Sequence, residues 1–273
     1  MHKVKSIHLT GVLICAVFMM FACTTVPLSG RQQLNLVSQD TMMATSLQQY
    51  NQFLKENKIS QNKEQTAQVK RVGTRIRHAV ELYFRQNNMG RELANYAWDF
   101  NLVESKEVNA WCMPGGKVVV YTGILPITQN DAGLAVVVGH EIAHAVAKHG
   151  NERVSQGLLA QLGGMALSTA IQTEPEATQQ LWMGAFGLGA QYGILMPYSR
   201  LQENEADHLG LVFMAMAGYD PHAAVGFWQR MSAKTGGQAP PEFLSTHPAG
   251  ASRIRNIQSL LPEAMKYYKK PQP

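Results

Sequence analysis

At 273 residues and 45% apolar side chains, the chain has material for a full core in one or at most two globular domains. Its formal charge of +5 includes Lys3 and Lys5 of an N-terminal segment expected to be removed. Without them 22 basic face 19 acidic side chains, a net of +3 too small and scattered to argue for nucleic acid. Of the three cysteines, Cys15 and Cys23 fall in or next to that segment, and Cys112 alone cannot form an internal disulfide in a mature monomer.

The N-terminus reads as an address. His2, Lys3 and Lys5 precede an apolar stretch, Leu9 to Ala22, that is short for a permanent span. It ends Met20-Phe21-Ala22-Cys23, which resembles a lipoprotein cleavage box; an ordinary cleaved signal and an uncleaved anchor are the alternatives. The expectation is a signal peptide over 1–22, lipidation of Cys23, a flexible tether over 23–37 and a single domain over 38–273. Thr24 rather than Asp after the cysteine favours the outer membrane over the inner one, with the domain facing the periplasm. More than one acyl chain would make that anchor stable.

Apolar positions recur at helical spacing over 38–56 (Met43, Leu47, Tyr50, Leu54) and 64–88 (Val69, Val72, Ile76, Tyr83). Tyr96, Trp98, Phe100 and Leu102 alternate as in a half-buried strand. Asn109 to Met113 and Lys117 to Ile124 read as two more strands around the turn Pro114-Gly115-Gly116. Cys112, in that apolar setting, reads as a buried inert thiol. An extended peptide could add to an exposed edge of this sheet through backbone hydrogen bonds; a purely structural sheet is the alternative.

Residues 140 to 144 spell His-Glu-Ile-Ala-His. A helix advances about 100° per residue, so His140 and His144 share one face and can reach a single metal, while Glu141 lies close enough to take a proton from metal-activated water. The run Asp131-Ala-Gly-Leu-Ala-Val-Val-Val-Gly leads in, and Gly150 marks the expected stop. Catalytic zinc takes three protein ligands, and two histidines with one glutamate are a common set. Glu203-Asn-Glu-Ala-Asp207, beginning 59 residues after His144, puts Glu203 and Asp207 on one helical face. Glu203 is therefore the expected third ligand and Asp207 its companion orienting a ligand histidine. Glu205, about 200° round from Glu203, is expected to face solvent. His149 lies off the ligand face and is expected to favour the helix C-terminus.

Between these motifs, Gly157 to Ile171 and Leu181 to Met196 are apolar but short of a bilayer span, and read as buried or cleft-covering helices rather than a membrane hairpin. Helices are expected near 221–234 and 249–261, with a mobile loop at 236–241. Thr246-His247-Pro248 is a rigid turn before a helix carrying Arg253. Either residue could donate to an oxyanion, or His247 could close the site as a fourth ligand; a turn histidine and a structural arginine are the plain alternative. The tail from Lys266 to Lys270 reads as a solvated end, with lipid contact as the lesser option.

Five ordered motifs (NAWCMPGGKVVVYTGIL, HEIAHAVAKH, SRLQENEADHLG, AGYDP and STHPAGASRI) resemble the HtpX-like and Ste-type zinc metallopeptidase family. The likeness is greatest to the single-domain bacterial envelope lipoproteins related to the beta-barrel assembly-enhancing protease. It covers about residues 95 to 260. The chain ends at Pro273 without the tandem helical repeats of some relatives, so functions of those repeats are not carried over. The resemblance implies a mostly helical α+β fold of the gluzincin type, with a small antiparallel sheet beside the metal helix. It implies one zinc ion held by His140, His144 and Glu203, and a cleft strand that places Asn109 and Ala110 against substrate. The implied role is an endopeptidase of misfolded or stalled envelope proteins. Two rivals stand beside it: a latent zinc lipoprotein that binds clients like a chaperone, and a zinc hydrolase of non-peptide substrates.

Overall fold

The computed structural model describes residues 23–176, 178–180, 183, 199–234, 241–248 and 250–269. The expected signal segment, most of the 181–196 stretch and nearly all of the 236–241 loop lie outside the described residues. In chain order come β1 (Cys23–Thr25), β2 (Gln32–Leu34), α1 (Gln39–Glu56) and α2 (Lys63–Gln86). Then follow β3 (Asp99–Val103), β4 (Ala110–Met113), β5 (Lys117–Tyr121), α3 (Leu125–Thr128), α4 (Asp131–Val146) and α5 (His149–Ala170). The chain closes with α6 (Arg200–Met216), α7 (Ala223–Ala233), α8 (Glu242–Thr246) and α9 (Ala251–Ala264). This is the mostly helical α+β architecture expected. Contacts divide it into two compact units, Met1–Ser38 with Asn151–Leu195 and Gln39–Gly150 with Met196–Pro273, where the sequence reading has one domain over 38–273.

In the first unit β1 and β2 pair antiparallel, with Cys23 opposite Leu34. The expected flexible tether therefore contains a hairpin, its turn eased by Gly30 at φ +69°. Arg31 grips Glu152 through two bonds of 2.6 and 2.8 Å, and the Leu36 N–H donates to Ser155 Oγ at 2.8 Å. Beyond these contacts α5 is less buried than its composition suggests: Val154, Leu158, Leu159, Leu162 and Met165 are exposed. No helix among the described residues is long and apolar enough to cross a membrane.

The second unit is built on three sets of residues. The α2 helix is capped by Asn62, whose side chain accepts from the Gln65 N–H at 3.0 Å, and it buries Val69, Val72, Ile76, Val80 and Tyr83 at helical spacing. Gly73 is required there because a Cβ would fall 2.3 Å from the Phe100 ring of β3. In the sheet, β5 is central: β3 runs parallel to it and β4 antiparallel, so the sheet is mixed rather than wholly antiparallel. The β4–β5 turn holds Gly115 and Gly116 at φ +85° and +81°, a region that favours glycine. Trp111 and Met113 pack with Phe53 and Leu54 of α1 around Tyr50, Val119 and Tyr121; Leu47, expected on that face, is exposed.

The third set is α4 on α6. Asn130 caps α4 by accepting from the Gly133 N–H at 3.0 Å, and Arg71 binds Asp131 in its first turn. The helix is buried from Gly133 to Val146. Ser199 and Gln202 form a capping box at the start of α6. The two helices meet at glycines: a Cβ on Gly139 would lie 3.0 Å from the Gly210 carbonyl, and one on Gly210 would lie 3.0 Å from the His140 nitrogen. That approach brings the side chains one and two turns before Gly210 against the imidazoles of α4.

Candidate active site

His140 and His144, a turn apart on α4, are both almost fully buried, and their Nε2 atoms lie 3.1 Å apart. From α6, Glu203 places Oε1 3.2 Å from His144 Nε2 and Oε2 3.5 Å from His140 Nε2. His247, at the end of α8, brings Nδ1 to 3.2 Å from His140 Nε2 and 2.9 Å from Glu203 Oε1. Each of the four residues offers a ligand atom within 4.8 Å of all the others. Bonds of about 2.0–2.1 Å to a tetrahedral zinc set ligand atoms about 3.3 Å apart, so the spacing and the nitrogen and oxygen donors both fit that ion. His140 turns Nδ1 to Asp207 Oδ1 at 3.1 Å, which leaves the Nε2 lone pair for a metal.

Glu141, next to His140, is equally buried. Its Oε1 makes no hydrogen bond and lies 3.3 Å from His247 Nε2. Burial raises the Glu141 pKa, with His247 and His140 opposing it. For His140 burial pulls the pKa down, but Glu203 and Asp207 outweigh it and the value rises to about 9. Burial drives His144 well below the usual imidazole range. Glu203 runs the other way: burial would raise it, but the charges and hydrogen bonds of the histidines hold it far below the carboxylate range. The site thus gathers an ionised ligand glutamate and a separate carboxylate of raised basicity, which are the parts needed to bind a dication and to move a proton beside it.

Arg253 of α9 lines an open cavity of about 310 Å³ beside Glu203, and its guanidinium is tied to the acids of the site. Its Nε and Nη2 donate to Asp207 at 2.9 and 2.7 Å, its Nη1 lies 2.7 Å from Glu203 Oε2, and its guanidinium stacks 3.6 Å from the Trp228 ring centre. This places it as a clamp on Asp207 and on the ligand Glu203. Two expectations need correction. Glu205 is buried, with Oε2 3.1 Å from His149 Nε2, and His149 is wholly buried with Nδ1 2.9 Å from His144 Nδ1. The solvent face of this part of α6 is the one carrying the exposed Leu201 and Asn204 and the partly exposed His208, and Glu205 lies off it against His149. His149 belongs to the start of α5, because the helix of the motif stops at Val146; Gly150 lies inside α5. Cys112 is partly buried, and burial together with nearby Glu141 pushes its thiol well above the ordinary range, as suits an inert thiol.

The cleft strand is β4, at the outer edge of its sheet. The Tyr121 N–H donates to the Asn109 carbonyl at 3.1 Å, so Asn109, Trp111 and Met113 face β5 while Ala110 and Cys112 turn their backbone groups outward. The Ala110 N–H is taken by Asn109 Oδ1 at 2.9 Å. Among the described residues nothing hydrogen-bonds to the Ala110 carbonyl or to the Cys112 N–H and carbonyl. The opposite edge, β3, is covered by residues 58–60.

Two imidazoles on one helix, a glutamate from a second and the buried carboxylate of Glu141 beside them define a zinc metallopeptidase site. The chain belongs to Peptidase family M48, whose profile matches residues 63–261. It is 32% identical over 243 residues to the mitochondrial metalloendopeptidase OMA1 of Schizosaccharomyces pombe, covering 88% of this chain and 66% of that protein. It is 30% identical over 259 residues to the Homo sapiens metalloendopeptidase OMA1, covering 93% and 49%. The beta-barrel assembly-enhancing protease of Yersinia pestis matches at 31% over 183 residues, covering 63% and 37%. The chain thus spans from about a third to two thirds of these relatives. The mitochondrial proteins match over more of this chain than the bacterial protease does, which corrects the expected order of likeness.

Removing Arg253 takes two hydrogen bonds from the buried Asp207 and leaves its charge facing His140 Nδ1 alone among the contacts described above. Arg253→Met is expected to cost about 3–5 kcal/mol of stability in denaturant unfolding. A loss under about 1 kcal/mol would show that the clamp is not structural.

Proposed function

We propose that this protein is a zinc-dependent endopeptidase that cuts extended, unfolded polypeptide. The observation that carries the reading is the buried Glu141 oxygen that makes no hydrogen bond, set beside four converging metal donors. Bound zinc would supply Lewis acidity, polarising a carbonyl and making water more acidic. Glu141 then takes the proton of the attacking water and passes it to the leaving amine. The outward backbone groups of Ala110 and Cys112 orient an extended chain by hydrogen bonds that tolerate many side chains. That favours peptides over small molecules. With His247 among the donors all four positions of a tetrahedral site are taken, so substrate access requires His247 to leave; this geometry supports a latent resting form of the same enzyme.

The first comparison is the full-length chain against Glu141→Gln, zinc content verified in each, with an unfolded protein as substrate. Cleavage by the wild type alone is expected, since the substitution keeps all ligands and removes the base. If neither cleaves although both hold zinc, the latent or client-binding reading takes its place. Cys112→Pro tests the edge. It removes an outward N–H without breaking a ladder bond, so zinc should stay bound while KM for unfolded protein rises several-fold. An unchanged KM would mean the sheet is structural only.

We further propose that the enzyme works in the bacterial envelope, anchored by lipid on Cys23 to the outer membrane and facing the periplasm, where misfolded or stalled proteins are its substrates. The Met20-Phe21-Ala22-Cys23 box and Thr24 support the anchor, and edge docking without side-chain selection suits a quality-control role. The mass of the mature N-terminus decides the first point: an acylated cysteine is expected, and an unmodified Cys23 would defeat it.

A further inference from the structure

Beyond the ligands and the base, the buried pair His149 and Glu205 has no part in the chemistry just described. We propose that the two form a positioning relay for the ligand His144, in which His144 Nδ1–H donates to His149 Nδ1 and His149 Nε2–H donates to Glu205 Oε2. The inference rests on the zinc reading of the site, because the ligand role of His144 sets the direction of the relay.

The geometry is specific. The two Nδ1 atoms lie 2.9 Å apart, the rings meet edge to face at 75°, and His149 Nε2 lies 3.1 Å from Glu205 Oε2. His149 has no exposed surface and Glu205 almost none. Chain direction is turned to achieve this. Between the end of α4 and His149, Lys148 adopts φ +59°, a left-handed conformation disfavoured for lysine. Its N–H donates to the Ala145 carbonyl at 3.2 Å, and its Nζ meets Glu92 at 2.5 Å. That turn swings His149 back beneath His144 instead of letting α4 continue, which explains why a histidine five positions on reaches a ligand at all.

Proton placement then follows from the contacts. His144 Nε2 faces the metal donors, so a neutral His144 acting as ligand carries its proton on Nδ1. That proton faces His149 Nδ1 at 2.9 Å, so His149 Nδ1 accepts, and the His149 proton is placed on Nε2 facing the carboxylate. Each of the two ligand histidines of α4 is thereby backed by an acid of α6. Asp207 holds His140 directly, and Glu205 holds His144 through an intervening imidazole. One helix supplies a ligand at 203, a relay anchor at 205 and a direct anchor at 207. Such partners fix the ring and raise its basicity as a donor.

The test uses the full-length chain and its variants His149→Leu, His149→Asn and Glu205→Gln. It reads zinc affinity by chelator competition and the visible spectrum after cobalt substitution, neither of which needs turnover. His149→Leu fills the space without an acceptor, and zinc affinity is expected to fall about 10- to 100-fold with a shifted cobalt band. His149→Asn offers a carbonyl to the His144 proton and is expected to recover most of the loss. Equal affinities for Leu, Asn and wild type, or equal losses for Leu and Asn, overturn the relay. If His149→Leu does not fold, Glu205→Gln decides alone: its isosteric amide accepts more weakly, so several-fold weaker zinc binding at unchanged thermal stability supports the relay, and wild-type affinity refutes it. A wild type that binds no zinc would sink the metallopeptidase reading itself, whereas zinc-bound wild type with indifferent variants sinks only the relay.

Discussion

The site depends on how closely α4 and α6 approach. Glycines at 139 and 210 face each other across that contact, and a side chain on either would meet backbone at 3.0 Å. At that separation a glutamate one helix away reaches two imidazoles, and an aspartate a turn later reaches the far side of one of them. A wider crossing would leave the carboxylates and the histidines each satisfied by water, and no single ion could bridge them. Packing of small residues sets how closely the donor atoms of the two helices approach.

Charge is the second constraint. Glu141, Glu203, Glu205 and Asp207 are all buried, and among the described residues Arg253 is the one buried guanidinium. Burying an ion costs several kcal/mol even after relaxation, so an arrangement with this surplus of acid is poor as a pure stability device. A divalent cation repairs the imbalance. Metal affinity and folding are therefore linked, with part of the binding energy spent in holding the carboxylates together. Arg253, stacked on Trp228, is bonded to Asp207 and reaches Oε2 of the ligand Glu203, which ties the two acids together.

Much of this was legible from residue order alone. The spacing of His140, Glu141 and His144, and the placing of Glu203 with Asp207, follow from helical periodicity, and the structure brings all five together. The α1 and α2 helices lie within a residue or two of where their apolar spacing puts them, although Leu47 is exposed because α1 covers the sheet with Tyr50, Phe53 and Leu54 instead. What escaped were features set by tertiary context. Periodicity cannot tell that the solvent face of α6 is the one carrying Leu201 and Asn204, so Glu205 reads as solvated. Nor does it show that Lys148 turns left-handed and breaks the helix before Gly150, so His149 reads as a helix end. The parallel pairing of β3 with β5 likewise depends on a connection whose course no local pattern records.

The donors are also far apart along the chain. His140 and His247 touch across 107 positions, and Glu203 is separated from His247 by 44. Two imidazoles from α4 alone make a weak chelate, and the site is complete only when the last helices have docked. The nascent chain therefore cannot bring the four donors together until residues up to His247 have been made. A polypeptide-cutting centre built this way is silent toward its own unfinished chain.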